Sequence, residues 1–234
     1  MSVLKGTRIT WLGHATFLIR TAKGTTILVD PFIAGNPKYP ADFVLPEKID
    51  YILLTHGHGD HISDAVPTAQ KHSSTVVAIF ELAAYIGAKG ASSTIGMNLG
   101  GTVQLGDVAV TMVEAKHSSA ACDENGNHYV GIATGFVLSI ADGPVLYAAG
   151  DTNVFGDMKL IADLYHPEVA LLPIGGFYTM GPKEAALAVQ LLGPRLVLPL
   201  HFGTFPPLTG TPEQLAALVE KQVEVARWVP GETL

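Results

Sequence analysis

Apolar residues in the first third of the chain fall in short blocks rather than at helical spacing. The blocks "TRITWLG" (7–13), "ATFLIRT" (15–21) and "TTILVD" (25–30) are rich in β-branched and aromatic residues and are separated by glycine or Lys-Gly. Such blocks predict strands, and "AKGTT" (22–26) predicts a hairpin turn between the last two. "YILLT" (51–55) and "STVVAIF" (74–80) are nearly continuous apolar runs, which predicts buried strands. Between them a helix is expected over 62–71. "ELAAYIGAKG" (81–90) reads as another, closed by its glycine. Strands return over 96–115. A glycine- and asparagine-rich loop, "CDENGNHYVG" (122–131), then leads to strands in "IATGFVLSI" and "GPVLYAAGD". The last third alternates: a helix over 158–165, a strand in "VALLPI", a helix in "PKEAALAVQLL", a strand in "RLVLPL" and a long helix in "PEQLAALVEKQVEVA" (212–226). Strands with interposed helices in both halves predict a mixed α/β (α+β) chain, with two sheets face to face and helices outside. No low-complexity linker divides it, so one domain over 1–234 is expected.

Composition narrows the functional classes. Of 234 residues, 48% are hydrophobic and only 15% charged, which predicts a well-buried core and little disorder. No apolar run approaches the roughly 18 residues of a membrane span. The N-terminal stretch lacks the apolar segment and cleavage site of a signal peptide. A cytoplasmic protein that does not bind membranes is the expectation. The formal charge is −7 and there is no Lys/Arg stripe, which argues against extended nucleic-acid binding. A small-molecule substrate fits better. A chain this apolar also leaves room for a homo-oligomer interface. The single cysteine, Cys122, excludes an internal disulfide and cysteine-rich zinc sites, and it reads as a loop thiol.

Candidate chemistry concentrates in "THGHGDHISD" (55–64). Alternate side chains of an extended segment share a side, so His56, His58 and Asp60 can converge, while His61 follows at a helix start. Gly57 and Gly59 keep side chains away from a cation and allow unusual dihedrals. The arrangement suits two neighbouring ions, one held by His56 and His58 and the other by Asp60 and His61. Each ion needs more ligands, because zinc takes about four and a catalytic zinc reserves one position for water. His117 in "EAKHSS", Asp151 in "YAAGDTN" and His201 in "LPLHFG" each follow an apolar strand, where a buried, unpaired His or Asp would be costly. A solvated loop, or a helix cap by Asp60, is the alternative for the cluster.

This pattern, His-x-His-x-Asp-His followed by His, Asp and His, resembles the metallo-β-lactamase superfamily. "WLGHATFLI", "ILVDPF", "DYILLTHGHGDH", "GDTNVFGDMKLI", "YTMGPKEAA" and "HFGTFP" are similar to the small metal-dependent hydrolases grouped with L-ascorbate-6-phosphate lactonase, over nearly the whole chain. The resemblance implies a four-layer αββα sandwich, the metallo-β-lactamase fold, with metals at one edge. It implies that His56, His58 and His117 hold one divalent ion, that Asp60, His61 and His201 hold the other, and that Asp151 bridges them. His58, where the flavodiiron branch has Glu, points to a hydrolytic pair such as zinc, with manganese or nickel as alternatives.

Further positions have two readings each. Asp30 is either a turn residue or the group that orients a ligand histidine through its other ring nitrogen. His14 is either a core histidine or, by the resemblance, near the metals with a catalytic or substrate-contact role. Thr179 and neighbouring amides either cap the helix that begins near Pro182 or also face a substrate anion. Tyr178 either packs or donates to an oxyanion. Glu81 reads as a structural helix-start residue. His128 sits in the polar loop, near enough to the ligand loop to be considered for substrate contact. His72 and His166 lack ligand contexts. The expected reaction is hydrolysis of a small phosphorylated, lactone or ester substrate by metal-activated water, with Asp60 or Asp151 handling the proton. The alternatives are a metal-binding protein with little turnover and a non-specific ribonuclease.

Overall fold

The computed structural model describes residues 3–234; residues 1 and 2 of the expected single domain lie outside the described residues. The first sheet has the order β1 (Arg8–Trp11), β2 (Phe17–Arg20), β3 (Thr26–Val29), β4 (Tyr51–Leu53), β5 (Thr75–Ile79), β6 (Thr94–Met97). Its first three strands are antiparallel, through the predicted turn at 22–26, and its last four run parallel. Helices α1 (Gly59–Ile62) and α2 (Ala65–His72) connect β4 to β5, and α3 (Phe80–Ala88) connects β5 to β6.

The second sheet uses β7 (Thr102–Leu105), β8 (Val108–Glu114), β11 (Thr134–Ile140), β12 (Val145–Ala148), β13 (Val169–Pro173), β14 (Leu196–Leu200) and β15 (Glu224–Val225). Its order is β15-β14-β13-β12-β11-β8-β7. A separate hairpin, β9 (Ala120–Asp123) with β10 (Gly126–Tyr129), follows β8. Helices α4 (Met158–Tyr165), α5 (Pro182–Leu192) and α6 (Pro212–Ala216) cover this sheet's outer face. The result is the expected four-layer αββα sandwich.

The continuous apolar strands have a simple cause. Side chains alternate between faces, and the second sheet is covered on both. Phe136 and Leu138 of β11 pack into the core between the sheets, whereas Val137 packs against the helices. Leu171 and Leu198 face the first sheet, and Ala170 and Val197 face α4 and α5. A strand buried on both sides has no polar face, so its sequence shows no alternation.

Three local expectations are corrected. The helix over 62–71 is broken between α1 and α2, because the Asp64 carboxylate accepts the backbone N–H groups of Ile33 (2.7 Å) and Ala34 (3.2 Å) of the neighbouring loop. The loop at 122–131 is largely the β9–β10 hairpin, turned by Gly126 at φ 103° and by Asp123 Oδ1 accepting the Asn125 N–H. That places Cys122 on an exposed strand. The long C-terminal helix stops at Ala216, and 224–225 instead form an edge strand parallel to β14, where backbone partners were open. Among the described residues no helix is long and apolar enough to cross a membrane.

Candidate metal centre

The chemistry lies where the parallel strands end. Asp30 follows β3, the 56–61 loop follows β4, and His117, Asp151 and His201 follow β8, β12 and β14. His14 comes from the β1–β2 turn. His14, Asp30 and His201 hold positive φ angles of 54°, 45° and 55°. Non-glycine residues adopt that region rarely and with strain, which is typical of functional sites.

His56, His58 and His117 offer ligand nitrogens within 4.8 Å of one another. His56 Nε2 is 3.0 Å from His58 Nδ1. Two ligands of a tetrahedral zinc with bonds of about 2.0–2.1 Å stand about 3.3–3.4 Å apart, so this pair is spaced for one ion. Thr55 fixes the tautomer of His56. Its hydroxyl donates to Asp30 Oδ2 at 2.6 Å and has only lone pairs left for His56 Nδ1, 3.0 Å away. His56 therefore protonates Nδ1 and turns Nε2 inward. Ser118 Oγ lies 3.4 Å from His58 Nε2, which leaves Nδ1 of that ring as the ligand atom. Ser119 Oγ accepts the Gly57 N–H at 3.1 Å and ties the motif loop to the segment after β8.

Asp60, His61 and His201 form a second group, with His14 beside them. His61 Nδ1 donates to Asp30 Oδ2 at 2.8 Å, so Nε2 faces the centre. Asp30 thus orients one histidine of each cluster, His61 directly and His56 through Thr55. Asp151 Oδ2 stands between the clusters, 3.4 Å from His61 Nε2, 3.0 Å from His201 Nε2 and 3.7 Å from His117 Nε2. Among the described residues, Asp151 Oδ1 is buried without a hydrogen-bond partner, and His61 Nε2 and His201 Nε2 are buried with Asp151 Oδ2 nearby but not in hydrogen-bond geometry. Orphaned polar atoms are rare in protein interiors. Here they converge with a set of imidazoles and carboxylates suited to divalent cations. The residues fit the group.

Burial lowers the pKa values of His56, His58 and His117 below the ordinary histidine value, which keeps their rings neutral and able to coordinate. Burial also opposes a charge on His61, but the Asp151 and Asp30 carboxylates outweigh it and raise its pKa. Desolvation would raise Asp151, yet His201 and His61 hold it well below the usual carboxylate range. Desolvation would raise Asp60 too, but the hydrogen bond from His14 and the nearby His61 outweigh it and lower its pKa. His14 is pulled down to about 4, chiefly by burial. Its neutral ring donates Nε2–H to Asp60 Oδ2 at 3.0 Å.

A pocket of about 690 Å³ opens over both clusters. Besides candidate ligands, its walls are Ser118, Tyr178, Phe205 and Pro207. His14 is fully buried and outside these walls, where its ring contacts Asp60 from the side away from the pocket opening. Thr179 is also outside the wall, with its hydroxyl buried and unpartnered among the described residues. At the start of α5 the Gly181 N–H donates to the helix's own Glu184 carboxylate at 3.2 Å.

The two motif glycines differ from expectation. Neither has positive φ. A Cβ at Gly57 would collide with Val130 Cγ2 and lie 3.1 Å from the Ala120 backbone, whereas one at Gly59 would meet nothing within 4 Å. Gly57 is required by the β9–β10 segment packed on it. His128 bonds Asp123 at 2.8 Å and stacks near Tyr85, away from the pocket. Glu81 lies in the first turn of α3. His72 donates to the Glu47 carbonyl, and His166 caps α4 on the surface. Thr55 carries no sequence signal beyond being a small polar residue beside a candidate ligand, whereas Ser118 and Ser119 open the loop after His117 that the sequence marks as a candidate pocket border.

The sequence model of the Beta-lactamase superfamily domain matches residues 8–201. The chain is 50% identical over 230 residues to a UPF0173 metal-dependent hydrolase of Koribacter versatilis, covering 98% of each. It is 51% identical over 225 residues to another from Solibacter usitatus, covering 96% of this chain and 97% of that one. The solved structure of Igni18, a novel metallo hydrolase from the archaeon Ignicoccus hospitalis, aligns over 97% of both chains at 34% identity with a TM-score of 0.86.

Proposed function

The chain belongs to the β-lactamase superfamily and, within it, to the UPF0173 metal-dependent hydrolases, and from that premise we propose that it hydrolyses an ester, lactone or phosphodiester bond of a small molecule over a pair of divalent cations. The supporting observation is the convergence of two imidazole clusters on Asp151 at the floor of an open pocket. His56, His58 and His117 would hold one ion, Asp60, His61 and His201 the other, and Asp151 both. Imidazole and carboxylate donors without thiolate favour zinc, and the same set accepts manganese or nickel. When bound, such a pair makes a deprotonated water available near neutral pH and polarises the electrophile's oxygen.

The remaining chemistry belongs to the chain. Asp60, with its side chain 34% exposed, is the carboxylate that both touches His14 and reaches the pocket. Its depressed pKa keeps it an acceptor at neutral pH, so it can take a hydrogen bond from an attacking water and hold its direction. His14 fixes the Asp60 rotamer from behind. Asp151 is too enclosed to receive a substrate proton without moving. Tyr178 lines the pocket with its ring half exposed and can donate its hydroxyl to an oxygen that gains charge.

The test is metal analysis of the purified protein together with turnover of p-nitrophenyl esters, lactones and bis(p-nitrophenyl) phosphate, before and after chelation. His56→Ala should lower bound metal and abolish turnover. Turnover that survives both chelation and His56→Ala would refute the proposal. Full metal content without turnover on any of these bonds would identify a metal-binding protein instead.

A further inference from the structure

We infer that the part of the substrate that does not react is uncharged and apolar, and that it lies against a wall formed by Tyr178, Phe205 and Pro207. The inference rests on the hydrolase reading of the site and narrows its substrate class. Beyond the candidate ligands, the pocket wall contains Ser118 and those three residues; no Lys or Arg is among the described residues lining it. The nearest lysine in sequence, Lys116, pairs with Glu114. No residue of α5 lines the pocket, and the Gly181 N–H just before that helix is taken by Glu184. A phosphate or carboxylate on the non-reacting part would find neither cation nor free helix amide there, and burying it unpaired is costly.

The wall is built, not incidental. Tyr178 comes from the loop after β13, and Phe205 and Pro207 come from the loop after β14. Gly210 N–H donates to the Gly175 carbonyl at 3.1 Å and joins the two loops. A Cβ at Gly175 would strike the His201 carbonyl, and one at Gly210 the Ile174 carbonyl; glycine lets the two loops touch. Phe205 is held edge-on to His14 at 5.4 Å and lies 6.5 Å from Phe32. Next to Tyr178, Phe177 stays 77% exposed at φ 61° and packs its ring 4.7 Å from the tyrosine ring. A bulky residue in that backbone region is an outlier, and here it holds an aromatic neighbour against the wall residue Tyr178.

The experiment uses zinc-loaded full-length protein and alkyl hydroxamates, whose head groups bind metal ions without requiring turnover. Calorimetry should show affinity rising about three- to fourfold per methylene from acetohydroxamate to hexanohydroxamate, as burial of each CH₂ predicts. Succinic monohydroxamate, with a charged tail, should bind at least tenfold more weakly than butyrohydroxamate. Phe205→Ala should flatten the chain-length dependence while zinc content stays at the wild-type level, and Phe205→Leu should restore it. Tyr178→Ala gives an independent reading if Phe205→Ala folds poorly. Equal affinity for neutral and charged tails, or an unchanged slope in both alanine variants, overturns the inference. If no hydroxamate binds, the premise of metals beneath this pocket fails and the inference falls with it. A tail preference without ester, lactone or phosphodiester turnover would leave the apolar wall standing and refute the hydrolytic reading alone. Turnover without a tail preference would do the reverse.

Discussion

Replacing Asp30 by Asn isolates the group that joins the two clusters. Asp30 has φ 45°, which Asn tolerates as well as Asp, so the backbone is not the perturbed element. The buried carboxylate accepts the Thr55 N–H on Oδ1 at 2.8 Å, and the Thr55 hydroxyl and His61 Nδ1 on Oδ2 at 2.6 and 2.8 Å. Asn has one acceptor oxygen. Its better orientation keeps both bonds at the Oδ2 position and points its NH₂ at the Thr55 N–H, leaving a buried donor unsatisfied at about 1–3 kcal/mol. Loss of the charge on the acceptor weakens the bond from His61 by about 1 kcal/mol more. The sum, about 2–4 kcal/mol, corresponds to a fall in melting temperature of about 5–15 °C for a chain of this size.

Metal affinity should fall as well, by about 10–100-fold, the usual consequence of removing a carboxylate that orients a ligand histidine. The ion of His61 should lose most, because the amide oxygen still accepts the Thr55 hydroxyl that fixes His56. The control is Thr55→Val, which removes the hydroxyl, leaves the His61–Asp30 bond intact and so weakens chiefly the ion of His56. Competition with a chromophoric zinc chelator reads the two affinities, and calorimetry of metal-free protein reads the stability. If Asp30→Asn binds both zinc ions within threefold of wild type and melts within a degree of it, the argument that Asp30 organises the centre is wrong.

Gly57→Ala should destabilise by about 1–3 kcal/mol through overpacking against Val130 and the Ala120 backbone, whereas Gly59→Ala, in open space at the start of α1, should be neutral or slightly stabilising; thermal melts of the pair decide, and equal losses would contradict the assigned contacts. In metal-free protein, the His14 ring should stay neutral until the pH nears 4, as read by NMR of its ring. The unfolded chain protonates this histidine below about 6.5, so its contribution is fully present above that pH and is lost as the pH falls toward 4, amounting to about 3 kcal/mol. His14→Gln should make stability less steeply acid-sensitive across that window, and an unchanged slope would show that the ring is solvated. Zinc loading at pH 7.5 should release the proton of His61 and none from His56, His58 and His117, which burial keeps neutral. Calorimetry in buffers of different ionisation enthalpy counts it together with the proton given up by water, and release of three or more would refute these protonation states.

Residue chemistry and local periodicity determined much of this protein. Few side chains besides His and Asp offer metals a ligand, so "HGHGDH" was legible as a candidate binding loop without any fold. Apolar runs marked β4, β5, β13 and β14 because a strand covered on both faces has no polar side, and Pro182 and Gly193 bracket α5 as helix chemistry requires. Spacing alone could not bring His117, Asp151 and His201 onto one point, nor tell that Asp30 reaches His61 directly and His56 through Thr55. Those meetings depend on which strand ends share an edge of the sandwich, and sheet pairing between distant segments sets that. The same cause explains the misses. Gly57 is small because a hairpin distant in sequence rests on it, and residues 224–225 leave helical periodicity because β14 offers them a ladder. A sequence carries the donors and the local preferences, while close approach between remote backbones exists only once the sheets have packed.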